Sequence, residues 1–280
     1  EPVPYGRGRQ DRRLPTAAAV HAFMRRADPN LQRIHPTGPL QPDEEFGLHS
    51  FSFHGAQYEV QWNVPNFAAY AEKANTLPAY QEFSTLLKIM AWGRKDPPGK
   101  IQLLKSPQFS ADLPSLLRVF PDARLICLER SPKEVVGSAA SLVWHHQRLH
   151  SAEVNPHRIG REWLRKSADR AQRTAGALAA NPAVPRMRVP FEEVNAGWQG
   201  PVRRIYDFLG LTLPADVLQR MRAYLQRSRD HRGHIYRLSE FGISAEEVDR
   251  AFQTSEATVQ QPVSGPSARP SRVQLIASAV

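Results

Sequence analysis

One stretch constrains the fold of this chain more than any other: two short apolar runs separated by a helix-sized segment, between residues 96 and 129. Asp96-Pro97-Pro98-Gly99 is a strong turn signal. After it, Ile101 to Leu104 suits a buried strand, and Leu113 to Phe120 suits a short helix that Pro121-Asp122 would end. Arg124 to Glu129 then carries Leu125, Ile126, Cys127 and Leu128, the pattern of a second strand. Strand, helix and strand within about 30 residues have the size of a βαβ unit, whose right-handed crossover makes the strands parallel. Parallel sheets need cover on both faces, so the expected fold class is α/β, with helices on both faces of the sheet.

The remaining chain supplies that cover. Pro132 to His150 reads as a long helix in which Ser131 and Glu134 match a capping box and Pro132 suits the first turn. Its expected apolar face runs through Val135, Ala139, Leu142 and Val143. Further helices are expected over Thr16 to Asp28, Pro78 to Trp92, Pro156 to Ala180, Pro201 to Leu209 and Ala215 to Gln226, with a strand over Arg186 to Val189. The C-terminal half is therefore helix-rich. Residues 1–257 are expected to form a single domain with a frayed Pro- and Gly-containing start, and 258–280, rich in Gln, Pro, Ser and Gly, a mobile tail.

Composition narrows the partners. With 37 basic and 27 acidic residues the net charge is +10, which favours an anionic partner: nucleic acid, a membrane surface or a phosphorylated small molecule. A single cysteine excludes an intrachain disulfide and a multi-thiolate zinc site, and Cys127 in its apolar run reads as an inert buried thiol. No run reaches the roughly 18 apolar residues of a membrane span, and the first residues are not signal-like, so a soluble, cytoplasmic protein is expected.

In open parallel sheets, ligands bind outside the carboxyl ends of the strands. Lys105 follows the first predicted strand and Arg130 the next, so two cations would flank one crevice. The helix beginning at Pro132 would add free backbone N–H groups and the positive end of its dipole, suited to phosphate or sulfate. Ser138, Ser141 and His145 follow i, i+3, i+7 spacing and either continue that anion site or form a partly solvated helix face.

These residues also carry a resemblance. Leu104-Lys105-Ser106-Pro107, Phe120-Pro121-Asp122-Ala123-Arg124, Arg130-Ser131-Pro132 and the Ser138 and Ser141 spacing are similar to the bacterial sulfotransferases that use 3′-phosphoadenosine 5′-phosphosulfate (PAPS). Ile159-Gly160-Arg161-Glu162-Trp163, Val202-Arg203-Arg204-Ile205-Tyr206, Phe208-Leu209-Gly210-Leu211, and His234, Tyr236 and Leu238 before Phe241-Gly242 extend it over roughly residues 40 to 250. The resemblance implies a parallel sheet of the P-loop nucleotide-binding type. It implies transfer of a sulfuryl group to a hydroxyl or amine of a small-molecule, glycan or lipid acceptor, with no metal and no nucleic acid. By the same resemblance Lys105 stabilises the leaving group, Arg130 and Ser138 hold the 3′-phosphate, and Arg232, Gly233 and His234 belong to a loop covering the cofactor.

Two departures stand out. The family's opening strand, phosphosulfate-binding loop and helix have no counterpart here, implying a chain that starts downstream of that unit and leaves its sheet one strand short. Phe109 stands where relatives often carry a histidine, while Asp43-Glu44-Glu45-Phe46 resembles an acidic segment of the same family, and by that resemblance Glu45 is the first candidate for the base and Glu44 the next. A solvated loop charge is the plainer reading of both. His54 could approach an acceptor or be a hydrogen-bonded structural histidine, and His146 and His150 share a helix face without a third ligand. Phe51, Phe53, Tyr58, Trp62 and Phe67 could wall an acceptor pocket or simply pack. The alternatives are a catalytically incomplete fragment of the same fold and a basic nucleic-acid-binding protein, although the arginines are scattered and no nucleic-acid motif is present. A P-loop kinase would need a Gly-Lys-Ser/Thr loop that this sequence lacks.

Overall fold

The computed structural model describes residues 11–41, 43–227, 236–256 and 273–278. Among the described residues, the first α-helices are α1 (Arg13–Ala27), α2 (Leu31–Ile34), α3 (Phe46–His49), α4 (Gln57–Gln61), α5 (Pro65–Ala71) and α6 (Leu77–Arg94). Next come β1 (Gln102–Lys105), α7 (Gln108–Ala111), α8 (Leu113–Val119), β2 (Arg124–Glu129), α9 (Pro132–Arg148) and α10 (Pro156–Ala180). The remaining elements are β3 (Arg186–Pro190), α11 (Phe191–Gly197), α12 (Gln199–Leu209), α13 (Ala215–Arg227), α14 (Ala245–Glu256) and β4 (Val273–Ser278). The strand, helix and strand expected from residue 101 onward are present, within a residue or two at each end.

Among the described residues, four strands form one parallel sheet in the order β1-β4-β2-β3. β4 lies within the segment expected to be a mobile tail, and for residues 273–278 that expectation is corrected. Val273, Leu275 and Ile276 are residues that favour strands, but the surrounding Pro, Ser and Gly concealed them. Leu104 pairs with Leu275 on one side, and Leu125 pairs with Leu275 on the other. Thus β1 and β2 each bond to β4 and not to each other, and the sheet is continuous because β4 fills the position between them. Residues 257–272 and 279–280 of the same segment lie outside the described residues.

The alternation of side chains along β2 divides the core. Leu125 and Cys127 face a cluster formed with Tyr80, Phe83, Phe109, Leu116 and Phe120. Ile126 faces the other side, against Val189 and Leu209. Both faces of the sheet are therefore covered, as its parallel strands require. Cys127 is buried, and burial pushes its thiol up to about 11, as suits an inert core residue.

A third cluster joins α9, α10 and α14 through Val136, Ala140, Val143, Ile159, Trp163, Val248 and Phe252. The buried stripe of α9 lies one position away from most of the expected face: Val136 and Ala140 are buried, whereas Val135 and Ala139 are half-buried. The reason is that α10 and α14 enclose the helix on a second side, which periodicity on one helix cannot reveal. Gly160 admits the Phe241 backbone so closely that a Cβ there would collide with the Phe241 carbonyl oxygen. Among the described residues, no helix is long and apolar enough to cross a membrane.

Candidate active site

Parallel pairing brings the carboxyl ends of β1 and β2 to the same edge of the sheet, so Lys105 and Arg130 leave it in the same direction. Lys105 is the last residue of β1. The acidic loop before α3 folds onto it at two points. Glu45 accepts the Lys105 backbone N–H at Oε2, 3.0 Å away, and Glu44 forms an ion pair with the Lys105 ammonium. The plainer reading of these carboxylates as solvated loop charges does not describe their environment, since the Glu44 side chain is only 10% exposed.

The electrostatics of this loop are unusual for surface carboxylates. Desolvation raises the Glu45 carboxyl from an ordinary 4.5 to about 7, against the opposing hydrogen bond from Lys105, with nearby Asp43 adding to the rise. Desolvation also holds the Lys105 ammonium below its usual value, opposed by Asp43. His35 joins the same field: desolvation lowers its pKa, Asp43 opposes this and Lys105 adds to the lowering. Nothing in the sequence marked His35, which reaches the site through the fold of α2.

Arg130 directly follows β2, and its guanidinium has three neighbours. Its Nε donates to Glu134 at 2.7 Å, its Nη2 donates to the Tyr236 hydroxyl at 3.2 Å, and its carbon lies 4.9 Å from the centre of the Phe191 ring. The capping box expected at Ser131 is absent: Ser131 makes no side-chain cap, and Glu134 turns instead to Arg130 four residues earlier. The first turn of α9 thus keeps backbone N–H groups without a side-chain cap, beside a guanidinium. Gly137 makes room for the Tyr236 ring, because a Cβ at that position would overlap it.

Ser138 is half-buried on the next turn. The row expected from it does not remain at the crevice. Ser141 and His145 are buried, and His145 Nδ1 pairs with Asp28 Oδ2. Arg232, Gly233 and His234 lie outside the described residues.

Phe109, in the position where a histidine was sought, is fully buried against Tyr80, Phe83 and His49, and so belongs to the core. His54 has its Nε2 2.7 Å from Asp112 Oδ2, matching the hydrogen-bonded reading of that residue. Tyr58 stands near Phe53, Trp62 and Phe67, with ring centres 5.5 to 6.4 Å away, while Phe51 and Phe53 are exposed. His146 and His150 are neighbours, and desolvation, reinforced by His35, His150 and His145, lowers His146 to about 4. Among the described residues no group of three or more His, Cys, Asp or Glu is placed to hold a metal ion.

A parallel α/β sheet with a lysine and an arginine at its carboxyl edge, next to an uncapped helix start, is the architecture of the P-loop-like fold class. The sulfotransferase family model matches residues 4–215, and the chain belongs to that family. In fold it is similar to the crystal structure of sulfotransferase STF9 from Mycobacterium avium, with a TM-score of 0.69 and 23% identity. That similarity covers 90% of this chain and 66% of the other, so the chain spans just under two thirds of the length of that relative. No curated protein sequence matches it.

Proposed function

We propose that this chain carries the acid–base and 3′-phosphate side of a PAPS-dependent sulfotransferase acting on a hydroxyl or amine acceptor, a small molecule, glycan or lipid. The observation that carries this reading is the convergence of Lys105, Glu44 and Glu45 at the end of β1, with Arg130 at the end of β2 on the same sheet edge. The residues present suit such a donor: a planar guanidinium for the 3′-phosphate, an uncapped helix start and the Ser138 hydroxyl for its oxygens, and an ammonium for the bridging oxygen. When bound, the donor supplies the sulfur electrophile, whose bond to the phosphate oxygen breaks as the acceptor atom bonds to sulfur.

The protein's own groups then divide the work. Lys105 meets the negative charge that develops on the departing phosphate oxygen, which stabilises the transition state more than the ground state. Glu45, with a pKa near 7, takes the proton of the acceptor hydroxyl, being basic enough to accept it and still ionised above neutrality. Glu44 and Glu134 hold the two cations when no anion is present, and donor binding exchanges these carboxylates for phosphate and sulfate oxygens. Tyr236 and Phe191 keep the Arg130 fork in place during the exchange. Arg232, Gly233 and His234 are assigned to the covering loop.

Calorimetric titration with adenosine 3′,5′-bisphosphate tests the assignment. Arg130→Ala removes a charge-assisted contact and is expected to cost about 1.5 to 3 kcal/mol, whereas Ser138→Ala removes a neutral contact and costs about 0.5 to 1.5 kcal/mol. Unchanged affinity in Arg130→Ala would remove the 3′-phosphate role.

A further inference from the structure

A second polar site lies beside the crevice, between α4, α5, α7 and α10. It is a cavity of about 100 Å³, and none of its lining residues is Lys105, Glu45, Arg130 or Ser138. Its walls include His54, Gln108, Asp112, Lys166, Arg170 and Arg173. Lys166 pairs with Glu59 and Glu162, and Arg173 pairs with Asp169 at 2.9 Å. Arg170 differs. Its Nε–H is buried with no hydrogen-bond partner, and among the described residues its guanidinium forms no ion pair.

The nearby carboxylate is already engaged. Oδ2 of Asp112 receives His54 Nε2 at 2.7 Å, the Tyr80 hydroxyl at 3.2 Å and Gln108 Nε2 at 3.4 Å. Asp112 and Asp169 favour the Arg170 charge only across a distance, and burial works against that charge. Gln108 cannot release the carboxylate easily, because its Oε1 accepts the Ala56 N–H at 2.9 Å and its Nε2 donates to the His54 carbonyl at 2.7 Å. Asp112 Oδ2 and both ends of the Gln108 amide are thus engaged, while Arg170, whose Nε–H is unpartnered, lines the cavity. A planar fork of donors matches a planar carboxylate, and a cavity of this volume suits a small one.

We propose that this cavity binds a small carboxylate-bearing molecule, with Arg170 as its anchor and His54, positioned by Asp112, beside its remaining polar groups. The site stands apart from sulfuryl transfer, and its test needs neither donor nor turnover. Acetate, lactate, glycerate and malonate are titrated separately into the protein, with glycerol as the uncharged control, followed by calorimetry and by the shift in thermal unfolding. At least one carboxylate is expected to bind, and glycerol is not. Arg170→Gln should weaken the binding by tenfold or more, and Arg170→Lys by less. Ala111→Leu, which fills the cavity while keeping every charge, should abolish it if Arg170→Gln proves unable to fold. Arg130→Ala should leave it unchanged, which separates this site from the nucleotide crevice. Binding of none of the four carboxylates, or equal binding in Arg170→Gln or Ala111→Leu, overturns the proposal.

Discussion

Replacing Glu45 by Gln should make the protein more stable and less active, and the size of the first effect follows from the environment of the carboxyl. The native state holds this group at about 7 against an ordinary 4.5, chiefly through desolvation. A carboxyl raised in this way favours the native state while it is protonated, and that advantage is lost as pH rises from the unfolded value through the folded one. By linkage the ionised carboxylate costs on the order of 3 kcal/mol at pH 8 and under about 1 kcal/mol at pH 5. Glutamine avoids the cost, because its neutral Oε1 can still accept the Lys105 N–H that Glu45 accepts at 3.0 Å. Urea denaturation of both proteins at pH 5 and pH 8 should therefore show a gain for Glu45→Gln that grows by about 2 kcal/mol between the two pH values. Sulfate transfer should fall by about 10² to 10⁴, as expected when a general base is removed, while the parent protein's rate rises through pH 7. A stability difference that does not change with pH would refute the desolvated carboxylate, and unchanged transfer would refute its role as base.

Lys105→Ala should lower turnover by about two orders of magnitude or more, with a smaller change in donor affinity; near-normal turnover would leave Lys105 a structural lysine. His49 is fully buried, stacked on Phe83 at 4.3 Å, with neither ring nitrogen hydrogen-bonded and its pKa pushed down to about 4 from 6.5, mainly by desolvation. A depressed base stabilises the native state above the unfolded value, so stability should be lost as pH falls from 6.5 towards 4, by up to about 3 kcal/mol from this residue. Denaturation of His49→Phe at pH 7.5 and 4.5 should show a smaller acid loss than the parent, and an identical loss would clear His49 of it. Ending the chain at Glu256 removes β4, the strand to which both β1 and β2 are bonded. That form should show no cooperative unfolding transition by circular dichroism, and a transition like that of the full chain would contradict the sheet order.

Much of the architecture was legible because it is local. The turn at residues 96–99, the two apolar runs and the proline at the start of α9 act within a few residues, and the strands and helices they announced are present. Lys105 and Arg130 were legible for the same reason, each being placed by the strand immediately before it. The resemblance added the acidic loop, which spacing alone would have left as surface charge.

What remained hidden depends on partners far apart in the chain. β4 has its neighbours in β1 and β2, about 150 to 170 residues earlier, so its short run could not be told from a tail until the sheet was assembled. Tyr236 reaches Arg130 across 106 residues, and Glu45 reaches Lys105 across 60. The sequence alone determined the class of fold, the direction of the strands and the two cations at the sheet edge, since backbone preference and hydrophobic period act over neighbouring residues. Only the tertiary structure decided which carboxylates lose their water, which helix faces are enclosed, and that the Arg170 Nε–H is buried without a hydrogen-bond partner. Desolvation and ion pairing depend on everything within several ångströms, and for this chain those neighbours come from segments that the sequence keeps apart.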